Sequence, residues 1–303
     1  MKNKKNILII GGTGFIGFHL IKLCLSKYNI SCISLSRPVG NKRIKKVKYI
    51  ECDISNKKSI EKKIKGNFDI IVNLGGYINH NNQNLALKTH YEGCKNLVKF
   101  FKNKKIKVFI QIGSSSEYGK KSSPHNEDLK GNPSTIYGKS KLLASKFLFD
   151  HSKKNKIPFT ILRFYQVYGP NQNRDRMIPN VIDSSLKNKN FNCSSGIQKR
   201  DFLYVGDAVN AIYKCFNNKK ILGKIINIGS GKSVNVKKMI LLLNKKIKKG
   251  KPKFGVIKLR PDEPLNSYPN LINARKYLGW RAKINLQSGL KKTIKYYKQQ
   301  LNT

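Results

Sequence analysis

The stretch Asn6-Ile-Leu-Ile-Ile-Gly-Gly-Thr-Gly-Phe-Ile-Gly17 constrains this chain most, because an apolar strand runs directly into glycines spaced for the pyrophosphate of a dinucleotide. Ile7 to Ile10 form the unbroken apolar run of a strand buried on both faces, and Phe18 to Leu25 carry a helical period. Gly11 and Gly14 allow a tight turn and a close approach of phosphate, and Gly17 lets the helix pack on the strand, its N-terminus facing the anion. Phe15 and Ile16 belong to the same cradle. A glycine-rich turn in another kind of α/β protein would match these residues alone, so the rest of the chain must decide.

Apolar runs recur at residues 30–35, 47–50, 70–74, 108–112 and 159–164, separated by helix-length segments such as Ala86 to Lys102 and Tyr137 to His151. This alternation implies an α/β fold, a Rossmann-type doubly wound parallel sheet with helices on both faces. The character changes after Gly169-Pro170. Polar Asn171 to Met177 leads into helical patterns at Ile178 to Leu186 and Val236 to Lys248, with an apolar run at Ile225 to Ile228. A smaller C-terminal α/β substrate lobe is therefore expected, and 303 residues are enough for both. Residues 1–169 are assigned to the dinucleotide-binding domain, which also receives 200–230, and residues 170–199 and 231–303 to the lobe.

Lysine and arginine total 62 against 15 acids, and the resulting net charge of +47 would suit a nucleic-acid partner. Yet the lysines are scattered, as at 102–107, 153–156, 245–253 and 291–298, and they far outnumber arginine. Solvated faces account for that pattern, so no specific nucleic acid is expected. Lys4 and Lys5 precede only the apolar Ile7 to Ile10, too little for a signal-peptide core, and no later run approaches a membrane span. The expectation is a cytoplasmic protein without a membrane partner, and a homodimer. Cys24, Cys32, Cys52, Cys94, Cys193 and Cys215 show neither a CxxC pair nor a histidine partner, so they are read as core residues and no metal is expected.

Three features carry chemistry. At the end of the second strand, where an NAD-binding unit would place a carboxylate for the ribose hydroxyls, stand Ser36 and Arg37, which suit a 2′-phosphate. NADP(H) is favoured, with NAD(H) as the alternative. Asp53, followed by Ile54, is placed to accept from an adenine amino group or to cap a helix. Tyr137 and Lys141 lie one turn apart on one helical face, where an ammonium beside a phenol favours the phenolate and makes it a usable acid or base. Ser114, at the end of the preceding strand, can supply a hydroxyl to the reacting oxygen. Tyr-x-x-x-Lys alone is common on exposed helices; the order of glycine loop, serine-rich strand end and this helix gives it weight.

In that order the chain resembles the extended short-chain dehydrogenase/reductase family, the NAD(P)-dependent nucleotide-sugar epimerases, dehydratases and ketoreductases. The resemblance spans nearly all of it. It rests on Gly11-Gly-Thr-Gly-Phe-Ile-Gly17, Leu74-Gly75-Gly76, Pro133-Ser-Thr-Ile-Tyr-Gly-Lys-Ser-Lys141, Arg163-Phe-Tyr-Gln-Val-Tyr-Gly-Pro170, Gln198-Lys-Arg-Asp-Phe-Leu-Tyr-Val205 and Leu278-Gly-Trp280. It implies Ser114, Tyr137 and Lys141 as the catalytic triad, Leu74, Gly75, Gly76, Tyr165 and Val167 beside the cofactor, and Gln166, Arg200 and Arg260 toward a nucleotide-sugar substrate. His90 and Gln166 depart from the asparagines common in the family. Its 4,6-dehydratases usually carry two acids after the active-site hydroxyl, whereas Ser115 and Ser116 follow here, with Glu117 next. Ser36-Arg37 therefore favours reduction of a 4-keto-6-deoxy nucleotide sugar, with NAD-dependent 4-epimerisation as the alternative. A dinucleotide-sensing module and an RNA-binding relative are the readings from other classes, and the intact triad and the lack of an arginine- and aromatic-rich stripe argue against them.

Overall fold

In a computed structural model, which describes residues 4–40, 43–77, 83–260 and 263–301, the N-terminal apolar run becomes the centre of a parallel sheet. Along the chain the first half forms β1 (Asn6–Ile10), α1 (Phe15–Cys24), β2 (Asn29–Ser34), β3 (Val47–Glu51), α2 (Lys57–Lys63), β4 (Ile70–Asn73), α3 (Gln83–Leu87), a π-helical turn (Lys88–Glu92), α4 (Gly93–Phe101), β5 (Val108–Ser114) and α5 (Ile136–Asn155). The second half forms β6 (Phe159–Phe164), β7 (Gln166–Tyr168), α6 (Met177–Leu186), β8 (Phe191–Asn192), β9 (Lys199–Tyr204), α7 (Val205–Lys214), β10 (Lys224–Ile228), β11 (Ser233–Asn235), α8 (Val236–Ile247), β12 (Pro252–Lys253), β13 (Asn266–Ser267), α9 (Ile272–Leu278) and α10 (Leu286–Gln299).

Seven strands make one sheet in the order β10-β6-β5-β4-β1-β2-β3, and every neighbouring pair is parallel. The period of two along each strand explains why helices cover both faces. Ile7 and Ile9 pack with Leu20 and Ile21 of α1, Ala208 and Ile212 of α7 and Ala274 of α9. Leu8 and Ile10 face the other way, into Ile60 of α2, Leu97 and Val98 of α4 and Ala144 and Leu148 of α5. The strand order reverses between β1 and β4, and a crevice opens at the carboxyl ends of the strands at such a switch point.

The lobe has its own core, in which Ile178 and Ile182 of α6, Met239 and Leu243 of α8 and Leu290 and Tyr297 of α10 surround Phe191 and Phe202. Its sheet runs β11-β9-β13, and β7 pairs with β9. One expected element is interrupted: the helix anticipated over Ala86 to Lys102 is broken at Lys88–Glu92 by the π turn. The cause is local, because Thr89 Oγ1 donates to Leu85 O at 2.8 Å while accepting from Tyr77 N at 3.0 Å, and His90 Nε2 reaches Tyr77 O at 2.9 Å. The bulge ties the helix to the chain leaving β4, a common use of π turns at functional sites. The six cysteines are buried and free. No helix among the described residues is long and apolar enough to cross a membrane.

Candidate functional site

A cleft of about 1290 Å³ opens along the carboxyl ends of the sheet and continues into the lobe. Its first half is the glycine turn. Gly11 adopts φ +74°, and a Cβ there would meet the Leu74 carbonyl oxygen at 2.9 Å; on Gly17 a Cβ would lie 2.4 Å from Gly11 O. A side chain at Gly11 would collide with the chain leaving β4 and one at Gly17 would push α1 away from the turn, so the residues present fit a dinucleotide pyrophosphate at the α1 N-terminus. Phe15, Ile16, Ser36, Asp53, Ile54, Leu74, Gly75 and Gly76 line this half as well. Asp53 Oδ1 accepts from the Ser55 amide and hydroxyl, each at 2.8 Å, and α2 is capped instead by Asn56, whose side chain accepts from Ser59 N.

Ser114, Tyr137 and Lys141 all line this cleft. Thr135 starts α5 by accepting from Gly138 N at 3.1 Å, which sets the phase that brings Tyr137 and Lys141 to one face. Lys141 is buried, donates to Ile112 O at 3.0 Å, and holds its ammonium 6.0 Å from the centre of the Tyr137 ring. That ring meets His90 edge-on, with centroids 5.2 Å apart at 88°. Ser114 ends β5 and accepts at Oγ from Ser116 N at 3.2 Å, which leaves its hydroxyl proton for a ligand oxygen. Behind it Glu117, with no exposed surface, accepts from Ser114 N at 2.8 Å and pairs with Arg163 Nε at 2.9 Å. Burial opposes the guanidinium charge there, but Glu117 and Tyr118 outweigh it and raise the Arg163 pKa. Ser115 and Ser116 line the cleft, whereas Glu117 faces away into that ion pair.

In the far half stand Gln166 and Val167 of β7, Arg200 of β9, Arg260 and Glu263. Glu263 bridges the arginines: Oε1 takes Arg200 Nη2 in a very short contact, and Oε2 stands 3.4 Å from Arg260 Nε. Tyr165, at the end of β6, lines the wall and bonds His125 Nδ1 through its hydroxyl at 2.9 Å. The loop from Asn171 to Arg176 and Tyr296, Tyr297 and Gln300 at the end of α10 complete the lining. Glu263 and the α10 tyrosines escaped the sequence reading. An acid three residues after Arg260 was a usable signal, but a lysine-rich amphipathic helix gave no hint of a lining role.

The sequence of the NAD dependent epimerase/dehydratase family matches residues 7–229. A putative UDP-glucose 4-epimerase of Methanocaldococcus jannaschii is 28% identical over 313 residues, covering 98% of this chain and all, 100%, of its own length. The human dTDP-D-glucose 4,6-dehydratase is 28% identical over 97% of this chain and 90% of its own. Among solved structures, the UDP-glucuronic acid 4-epimerase of Bacillus cereus, in complex with UDP-glucuronic acid and NAD, superimposes with a TM-score of 0.87 at 28% identity, covering 97% of this chain and 99% of that one. These findings correct the expectation that Ser36 and Arg37 select NADP(H). The Bacillus cereus structure holds NAD, and here Ser36 lines the cleft while Arg37 is exposed and stands outside its lining.

Proposed function

We propose that this chain, which belongs to the NAD dependent epimerase/dehydratase family, is an enzyme that inverts the configuration at C4 of a nucleotide-linked sugar with NAD as its resident cofactor. The observation that carries the reading is the convergence of Ser114, Tyr137 and Lys141 in one cleft with the glycine turn, while Glu117, the acid of the Ser115–Tyr118 turn, is locked behind it by Arg163.

When bound along the glycine turn, NAD would supply the acceptor for the C4 hydride and the donor for its return. Tyr137 takes the proton of the C4 hydroxyl and gives it back on the other face, Lys141 favours the phenolate, and Ser114 donates its hydroxyl proton to the C4 oxygen. Arg200 and Arg260 face the diphosphate of the substrate, a charge pattern that two guanidinium groups match. Elimination at C5 and C6 would need carboxyl groups facing the sugar; Ser115 and Ser116 occupy that part of the lining and favour epimerisation over dehydration. The earlier preference for reduction leaned on Arg37 as a sign of NADPH, and it falls with that assignment. Incubation with UDP-glucose, UDP-glucuronic acid and dTDP-glucose, followed by proton NMR of the sugars, tests the reading: C4 inversion of at least one sugar supports it, and a 4-keto-6-deoxy product contradicts it.

A further inference from the structure

His125 is fully buried behind the cleft wall and is not part of the lining. Its backbone is tied to the segment after β13 and to β10: its amide donates to Tyr268 O at 3.0 Å, and its carbonyl accepts from Asn270 N and Asn227 Nδ2, each at 2.9 Å. The ring stacks on Tyr118 at 4.5 Å. Nε2 lies 3.0 Å from the Lys121 carbonyl oxygen and 3.2 Å from Ser123 Oγ, and Nδ1 lies 2.9 Å from the Tyr165 hydroxyl. A carbonyl oxygen can only accept, so Nε2 carries the proton. Nδ1 of the neutral ring is then an acceptor, and Tyr165 is the donor. Burial, with Arg163 nearby, lowers the His125 pKa against the opposing Lys121 carbonyl, which keeps the ring neutral.

Tyr165 follows Phe164, which is in register with Ser114 across β6 and β5, and Tyr165 lines the same cleft as Ser114. We propose that His125 is a positioning residue for the reaction: by accepting the Tyr165 proton at Nδ1, it pins the Tyr165 ring in the wall of the cleft that Ser114, Tyr137 and Lys141 also line, and keeps that wall in one shape. The kinetic part of this inference rests on the epimerase reading. The geometric part does not.

Tyr165→Phe removes one oxygen, and His125→Phe removes the acceptor while keeping a ring. His125→Gln retains both roles, since its amide oxygen accepts from Tyr165 while its nitrogen donates to Lys121. Tyr165→Phe and His125→Phe should each lower kcat roughly fivefold to tenfold, the worth of one net hydrogen bond, with KM for the nucleotide sugar within about twofold. The double variant should be no slower than the worse single one, and His125→Gln should recover kcat to within about twofold. Multiplying losses in the double variant, or a lower Tm with kcat intact, overturns the proposal. A second measurement needs no substrate: nitrogen NMR of histidine-labelled protein should report His125 as the Nε2–H tautomer from about pH 6 to 8, with its Nδ1 resonance displaced in Tyr165→Phe. An Nδ1–H tautomer, or an Nδ1 resonance indifferent to the Tyr165 hydroxyl, refutes it even where epimerisation stands. If the protein is inactive on every nucleotide sugar, the proposed function fails and this spectrum still decides the His125 pairing.

Discussion

Replacing Glu117 by glutamine separates a structural acid from a chemical one. The substitution keeps the shape of the side chain and an oxygen for Ser114 N, now 2.8 Å from Oε1, but removes the charge facing Arg163 at 2.9 Å. Both partners are almost without exposed surface, at 0% and 3%, so Arg163 would be left as an uncompensated buried cation. Removing one partner of a buried pair costs about 3–5 kcal/mol. Arg163 retains a 3.5 Å contact with Glu127 O and its place over the Tyr118 ring at 4.6 Å, which lowers the expected loss to roughly 2–4 kcal/mol. At about 2–4 °C per kcal/mol for a large single chain, Tm should fall by roughly 4–16 °C. Thermal unfolding and initial rates below the transition give both readouts, and kcat should stay within roughly fivefold because Ser114 keeps its cap. A variant that unfolds with the parent but has lost turnover would refute this account and return Glu117 to the chemistry.

Three further outcomes follow from the site and its surroundings. Tyr137→Phe keeps the ring against His90 but removes the exchangeable proton, so turnover should fall roughly 10²–10⁴-fold with NAD affinity little changed, as measured by steady-state kinetics and calorimetry; near-normal turnover would sink the acid–base assignment. Arg37→Ala should leave the NAD dissociation constant within about twofold, since the side chain stands outside the cleft; a tenfold loss would place it back in the cofactor site. His19, whose Nε2 donates to Pro170 O at 2.8 Å, has its pKa lowered by burial despite that carbonyl. Its contribution is complete above the unfolded value of about 6.5 and is lost as pH falls toward the folded one, because the unfolded chain takes up the proton first. The urea midpoint of His19→Gln should therefore gain on that of the parent between about pH 7.5 and 5.5; a constant difference would contradict the shift.

What could be read from the sequence was local. The glycine turn, the alternation of strands and helices, and the i,i+4 pair of Tyr137 and Lys141 each depend on neighbours in the chain, and apart from the π turn at Lys88–Glu92 and the unread β9 they stand where the pattern put them. Relations across the chain were not legible. Glu117 finds Arg163 46 residues away, and Glu263 finds Arg200 63 residues away, so neither bridge leaves a trace in spacing. β9 went unread because Lys199, Arg200 and Asp201 interrupt the apolar run, although Arg200 and Asp201 are buried. Asp201 pays for that burial with a pKa raised to about 6, even while accepting from Ser230 N and Gly231 N. Arg37 failed for another reason: position after β2 fixes where the backbone goes and leaves the side chain's direction open.

The most direct test of C4 inversion follows a deuterium label placed at C4 of the sugar in whichever nucleotide sugar the protein accepts. A single bound cofactor that removes and returns the label, with Tyr137 handling only the hydroxyl proton, requires the inverted product to retain deuterium at C4, in unlabelled water and without net change in nicotinamide absorbance. Loss of the label to solvent, or net consumption of a reduced cofactor in step with product, would contradict the account.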